Sequence, residues 1–163
     1  MQAPMQLATP FTEAILGKTV SHVWRGHRSA LFLEFGMLTP RTKRNGDPGN
    51  ACGQISLMIE WGWRIERPRS ILGGCWSEEK RWPGMFKQLL GSKVDGVEFI
   101  GRLPEIVVLL SNGLRVVSFM PAEGQPQWTL LAHSPALGDL SVKRGRLYLD
   151  PPQPAFPHIG EIR

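Results

Sequence analysis

The stretch Leu16-Gly17-Lys18-Thr19-Val20-Ser21-His22-Val23 returns as Leu90-Gly91-Ser92-Lys93-Val94-Asp95-Gly96-Val97, and both copies read L-G-x-x-V-x-x-V. A second echo follows each copy. Trp63-Arg64-Ile65 precedes Leu72-Gly73, and Trp128-Thr129-Leu130 precedes Leu137-Gly138 at the same Trp-to-Leu spacing. A chain that writes one pattern twice is expected to build one supersecondary unit twice. Neither unit alone would bury its apolar face, so the two are expected to share a core. The boundaries expected are about 9–76 for the first repeat, about 82–149 for the second and 150–163 for a proline-rich tail, all within a single domain spanning 1–163.

Each unit opens with a helical signature. Thr9 is placed to cap a short helix, Pro10 suits its first helical position, and Gly17 can close it in a left-handed conformation. The stretch from Trp82 to Gly91 repeats the early proline and the final Leu-Gly. Extended chain follows in both units. Asn112-Gly113, between two apolar runs rich in β-branched residues, predicts a hairpin with a type I′ turn. Leu38 to Gly53 predicts instead a long loop inserted into the corresponding hairpin. It holds two prolines, three glycines, two asparagines and the cluster Arg41, Lys43 and Arg44, and loops of that length are usually functional or disordered.

The strongest periodicity comes next. Ile55, Leu57, Ile59, Trp61, Trp63 and Ile65 occupy alternate positions, which predicts a single long strand with one core face. A last hairpin turns through Lys143-Arg144-Gly145, and the prolines after Asp150 exclude the tail from any central strand. The fold class expected is α+β, mainly antiparallel β. Two tandem helix-plus-meander repeats would pack as two sheets or as a partly open barrel.

Composition narrows the function classes. With 42% hydrophobic and 20% charged residues among 163, the chain is globular in character. No apolar run approaches the roughly 20 residues that cross a bilayer, and Met1–Gln6 carries no leader pattern. Two cysteines suit a reducing compartment. No membrane association and a cytoplasmic location are therefore expected. A net charge of +5 permits an acidic partner, nucleic acid or an anionic surface without selecting among them.

Catalytic signatures are weak. Cys52, Cys75 and the four histidines (His22, His27, His133 and His158) lie in no nucleophile motif and at no metal-ligand spacing. Free buried cysteines are expected to act as small hydrophobes. Gly17-Lys18-Thr19 resembles the end of a phosphate loop, but Thr12 stands where the leading glycine belongs and the motif closes a helix instead of opening one. Neither a metal nor a cofactor is expected. Glu60, Arg64 and Glu66 share the polar face of the long strand, with Glu34 placed on its neighbour. That face is the enzymatic or small-ligand alternative, against a plain surface ion-pair ladder. Trp76 and Trp82 flank the charged run Ser77–Arg81. They suit either a partner surface or a capped sheet edge.

The arrangement of Leu-Gly-x-x-Val, a glycine-turned hairpin and a Trp-x-Ile/Leu strand resembles an uncharacterised bacterial family of small, internally duplicated β-rich proteins. Some of these are immunity-like partners of toxin systems. The resemblance covers about residues 16–140 and rests on structural motifs, so it implies a protein partner and carries over no catalytic residue. The expected function is a non-enzymatic protein-binding module, with Arg41, Lys43, Arg44, Glu60, Arg64, Glu66, Trp76 and Trp82 as its candidate binding residues. Nucleic-acid binding ranks behind it, because it needs the 41–44 and 143–146 basic clusters to converge on one face. Oligomeric state is left open.

Overall fold

In the computed structural model, residues 3–124, 127–133 and 136–152 are described. Helix α1 (Ala3–Ile15) is followed by β1 (Val20–Arg25), β2 (Leu31–Phe35) and β3 (Ile55–Ile59). The chain then changes sheet, forming β4 (Trp63–Glu66) and β5 (Ile71–Gly74). A 3-10 turn over Glu79–Arg81 leads into α2 (Trp82–Leu89), and β6 (Val94–Ile100), β7 (Glu105–Leu110) and β8 (Arg115–Ser118) follow. The chain finally returns to the first sheet as β9 (Trp128–Ala132), β10 (Asp139–Lys143) and β11 (Arg146–Asp150).

The first sheet has the order β1-β2-β3-β9-β10-β11 and the second β5-β4-β8-β7-β6. The ladders within both are antiparallel. Leu31, Leu33, Phe35, Ile55, Leu57, Ile59, Trp128, Leu130 and Leu140 of the first sheet meet Trp63, Ile65, Ile106, Val108 and Val116 of the second in one apolar core. The fold is thus α+β and mainly β, built as two packed sheets.

Alternation along β2, β3 and β9 sends every second side chain inward. Phe32, Glu34, Ser56, Met58, Leu131 and His133 are left on the outer face of the first sheet. The two indoles at 0% exposure, Trp63 and Trp128, are anchored alike. Trp63 donates from Nε1 to the Ser29 carbonyl at 2.7 Å, and Trp128 from Nε1 to that of Pro104 at 2.9 Å.

The long alternating run is not one strand. β3 lies in the first sheet and β4 in the second, and the chain crosses at Glu60-Trp61-Gly62. Odd positions still point inward on both sides of the crossing, because the core lies between the sheets. Trp61 is the exception: at the crossing it turns outward and is 44% exposed. The return crossing passes beside this one. Phe119 donates its amide to Gly62 at 3.0 Å, and the Gln127 amide bridges the Gly62 and Phe119 carbonyls at 3.2 and 3.1 Å.

The turns after the helices are bonded reciprocally. The Gly17 amide donates to Val94 and the Val94 amide to Lys18, while the Gly91 amide donates to Val20 and the Val20 amide to Ser92. Gly17 and Gly91 have φ of 77° and 82°, a region glycine enters without steric cost. Each helix covers an open side of the sandwich, α1 against β6, β10 and β11, and α2 against β1.

Two local expectations are corrected. α1 begins at Ala3, not after Thr9, and Pro10 lies inside it. The ring forfeits one backbone bond, but Ala8, Phe11 and Ile15 are buried, and this apolar stripe holds the helix through the proline. The type I′ geometry is not at Asn112-Gly113, where only Gly113 takes a positive φ. It is at Arg144-Gly145, with φ of 51° and 72°, between the paired residues Lys143 and Arg146. A two-residue hairpin requires the twist of that turn and forces arginine into it. Of the tail, residues 153–163 lie outside the described residues, as do Pro126 and His158. Among the described residues no helix is long and apolar enough to cross a membrane.

Candidate functional site

The inserted loop folds as an arm that prolongs the β2–β3 hairpin. Thr39 and Cys52 exchange backbone hydrogen bonds at 2.7 and 3.0 Å, Gly49 donates to Arg41 at 2.8 Å, and Lys43 donates to Asp47 at 2.8 Å. The Asn45 carboxamide accepts from the Asp47 amide at 3.1 Å and closes the tip as an Asx turn. Two side-chain tethers lay the arm across the outer face of the first sheet. His22 on β1 shares a 2.9 Å hydrogen bond through Nε2 with Asn50 Oδ1, and Arg41 Nη2 lies 3.4 Å from His133 Nδ1 beyond β9.

Between arm and sheet is a cleft of about 400 Å³, walled by Trp24, Phe32 and Leu131 on one side and by Arg41, Lys43 and Asn50 on the other. Glu34, Ser56, Cys52 and His133 complete the lining. Trp24 and Phe32 stack face to face at 4.0 Å between centroids with 13° between planes, so each ring covers one face of the other.

Glu34 belongs to the outer face by strand parity, yet it is only 2% exposed. A buried carboxylate must be hydrogen-bonded to be tolerated, and this one is. Trp24 Nε1 donates to its Oε1 at 3.1 Å, the Gly53 amide donates to its Oε2 at 3.0 Å, and the Ser56 hydroxyl donates to Oε2. Gly53 has no substitute here, since a Cβ would run into the backbone of Phe35.

The chain of bonds continues outward from Glu34. Ser56 has a single proton and gives it to Glu34, so His133 Nε2, 2.8 Å from Ser56 Oγ, must be the donor in that bond. His133 is then the Nε2–H tautomer, with Nδ1 left to accept from Arg41. Burial, and after it the Arg41 charge, hold the imidazole pKa below its ordinary value, against the opposing pull of Glu34 and Asp139. Every donor therefore points toward Glu34. Ser56 is not presented as a nucleophile, because the residue is 2% exposed and its hydroxyl is held between Glu34 and His133.

Of the candidate residues read from sequence, Arg41 and Lys43 are brought together in the cleft. Arg44 is exposed farther along the arm. None of the three takes part in the ion pairs formed among the described residues. Glu60, Arg64 and Glu66 do not form one face, since the sheet crossing separates them. Glu60 lines a hollow of about 220 Å³ with His27, Arg28 and Trp61, whereas Arg64 and Glu66 pair at 2.8 Å on the second sheet. Trp76 is 88% exposed. Trp82 is not a surface residue. It is 4% exposed, meets Trp63 edge-on at 5.2 Å and lies under the Arg25 guanidinium at 4.6 Å.

The basic clusters 41–44 and 143–146 do not converge. The arm leaves the sheet where Ile55 pairs with Ala132, and the 143–146 turn leaves it at the far end of β10. Cys52 lies in the arm, whereas Cys75 follows β5 in the second sheet. Reasoning from sequence passed over Trp24, Phe32, Ser56 and His133 and used Glu34 only as a neighbour of Glu60. The available signal was Glu34 itself, a lone charge inside the apolar run Ala30–Phe35. Comparison with protein-family profiles, with curated proteins and with solved structures returned no match.

Proposed function

We propose that this protein is a non-enzymatic binding module that recognises another protein, in the manner of an immunity-like partner, through the 38–53 arm. One observation carries this reading: the arm is ordered by its own backbone pairs and two tethers, and it presents Arg41, Lys43 and Arg44 outside the ion pairs among the described residues. A preorganised basic surface loses little entropy on association and steers an acidic partner. The burial of Ser56 between Glu34 and His133 and the separation of Glu60 from Arg64 and Glu66 weigh for binding over catalysis. The separation of the two basic clusters weighs against nucleic acid. We further read the scaffold as one helix-plus-meander unit used twice, a reading supported by the reciprocal Gly17–Val94 and Gly91–Val20 bonds.

The test is affinity capture from an extract of the source organism with the native chain and with the triple variant R41E/K43E/R44E. A partner retained by the first and lost by the second, at unchanged melting temperature, is the expected result. Equal capture by both, or capture by neither, overturns the reading.

A further inference from the structure

The geometry points to a small-molecule site in the cleft beneath the arm, one that takes a planar aromatic carboxylate. The volume of about 400 Å³ lies within the roughly 300–1,000 Å³ typical of ligand pockets, and an apolar wall facing a few convergent polar groups is their usual make-up. The outer face of the Trp24–Phe32 stack offers a flat surface for a further aromatic ring, and the Trp24 Nε1 bond to Glu34 fixes its orientation. Offset stacking of this kind adds to the burial of the ring itself.

Charge sets the other end of the ligand. Arg41 and Lys43 project from the arm side, while Glu34 holds the only carboxylate of the lining among the described residues and is sealed by its three donors. His133, held neutral against Arg41, adds no charge. A carboxylate at the sheet floor would face Glu34, whereas one at the arm meets two cations. The ring therefore lies against the aromatic stack and the carboxylate points to the arm. Arg41 supplies the recognition geometry, since a guanidinium has five donors in a planar fork and His133 engages it on one side only.

This site is separable from the partner reading, because Trp24 and Phe32 lie off the arm and Arg44 does not line the cleft. F32L tests the ligand without touching the donors of Glu34, and R44E tests the partner alone. The probes share one ring system and differ in charge: indole-3-carboxylate, neutral indole and cationic tryptamine. Cyclohexanecarboxylate serves as the non-planar anion. Binding is read by calorimetry and by amide shifts of Gly53 and the Trp24 indole.

The expected result is saturable one-to-one binding of indole-3-carboxylate. R41A and F32L, each folded by its melting curve, should weaken it about tenfold or more, the loss of one charge-assisted contact or of the stacked aromatic surface. R41K should recover part of the loss. Equal binding of tryptamine or cyclohexanecarboxylate, non-saturating shifts, or R41A binding like the native chain overturns the proposal.

Discussion

The Gly17 amide lies 2.8 Å from the Val94 carbonyl oxygen, so the turn that ends α1 is fastened to the first residue of β6. The Gly91 amide is fastened to Val20 in the same way, at 2.9 Å. Neither glycine has a heavy atom within 4 Å of where a Cβ would stand, so any cost of a side chain there is conformational and not steric. G17A and G91A should each destabilise by about 1–2 kcal/mol, the cost of a left-handed φ for an L-residue. Urea unfolding measures this, and a neutral G17A would mean the turn relaxes.

Trp76 and Trp82 stand six residues apart in sequence and make opposite predictions. W76S should change stability by less than about 0.5 kcal/mol, as expected for an exposed side chain. W82A should cost about 3–5 kcal/mol, because it empties a packed position against Trp63. Chemical denaturation of the two variants checks both. Comparable losses would refute the placement of α2.

Glu34→Gln replaces one carboxylate oxygen with an NH2 group, so either Trp24 Nε1 or the Gly53 amide and Ser56 hydroxyl lose their acceptor. The expected cost is about 1–3 kcal/mol for buried donors left without an acceptor. It should be concentrated at the root of the arm, so hydrogen exchange of Gly53 and Cys52 should accelerate more than that of β7. Uniform acceleration would mean that Glu34 supports the whole sandwich and not the arm.

His133 makes stability depend on pH with a definite sign. Above its ordinary pKa of 6.5 the imidazole is neutral in both folded and unfolded chains, and its contribution is fully present. Its folded-state value is depressed, so as pH falls below 6.5 the unfolded chain takes up the proton first and the contribution is lost. H133Q keeps a donor toward Ser56 and removes the titration. The stability advantage of the native chain over H133Q should therefore shrink between about pH 7 and about pH 5, as read from denaturation midpoints. Asp139 acts in the opposite sense, since burial and then Asp150 raise its pKa, and because His133 opposes that shift the comparison is made in a D139N background. An advantage independent of pH would refute the assignment.

Strand and hairpin positions were legible because they depend on neighbours in sequence. Alternation through Ile55–Ile65 identified an inward-facing run, and Trp63 and Trp128 were rightly read as scaffold. The change of sheet at Glu60–Gly62 was hidden by that same alternation. A sandwich core lies between its sheets, so residues of one parity point inward before and after the crossing, and period two cannot distinguish one long strand from two short ones. Trp61, the residue that breaks parity in space, looks regular in sequence.

By itself, the sequence determined the β-rich class, the presence of two helices, the left-handed turn at Gly17 and the position of the long 38–53 loop, all set by backbone sterics and side-chain period. Only the tertiary structure decided what the arm covers. Ser56 reaches Glu34 across 22 residues and His133 across 77. Long-range pairing of β2, β3 and β9 is what brings a carboxylate, a hydroxyl and an imidazole onto one outer face. Burial beneath the arm then gives that face its ordered hydrogen bonds, because a charge removed from water must collect every donor within reach.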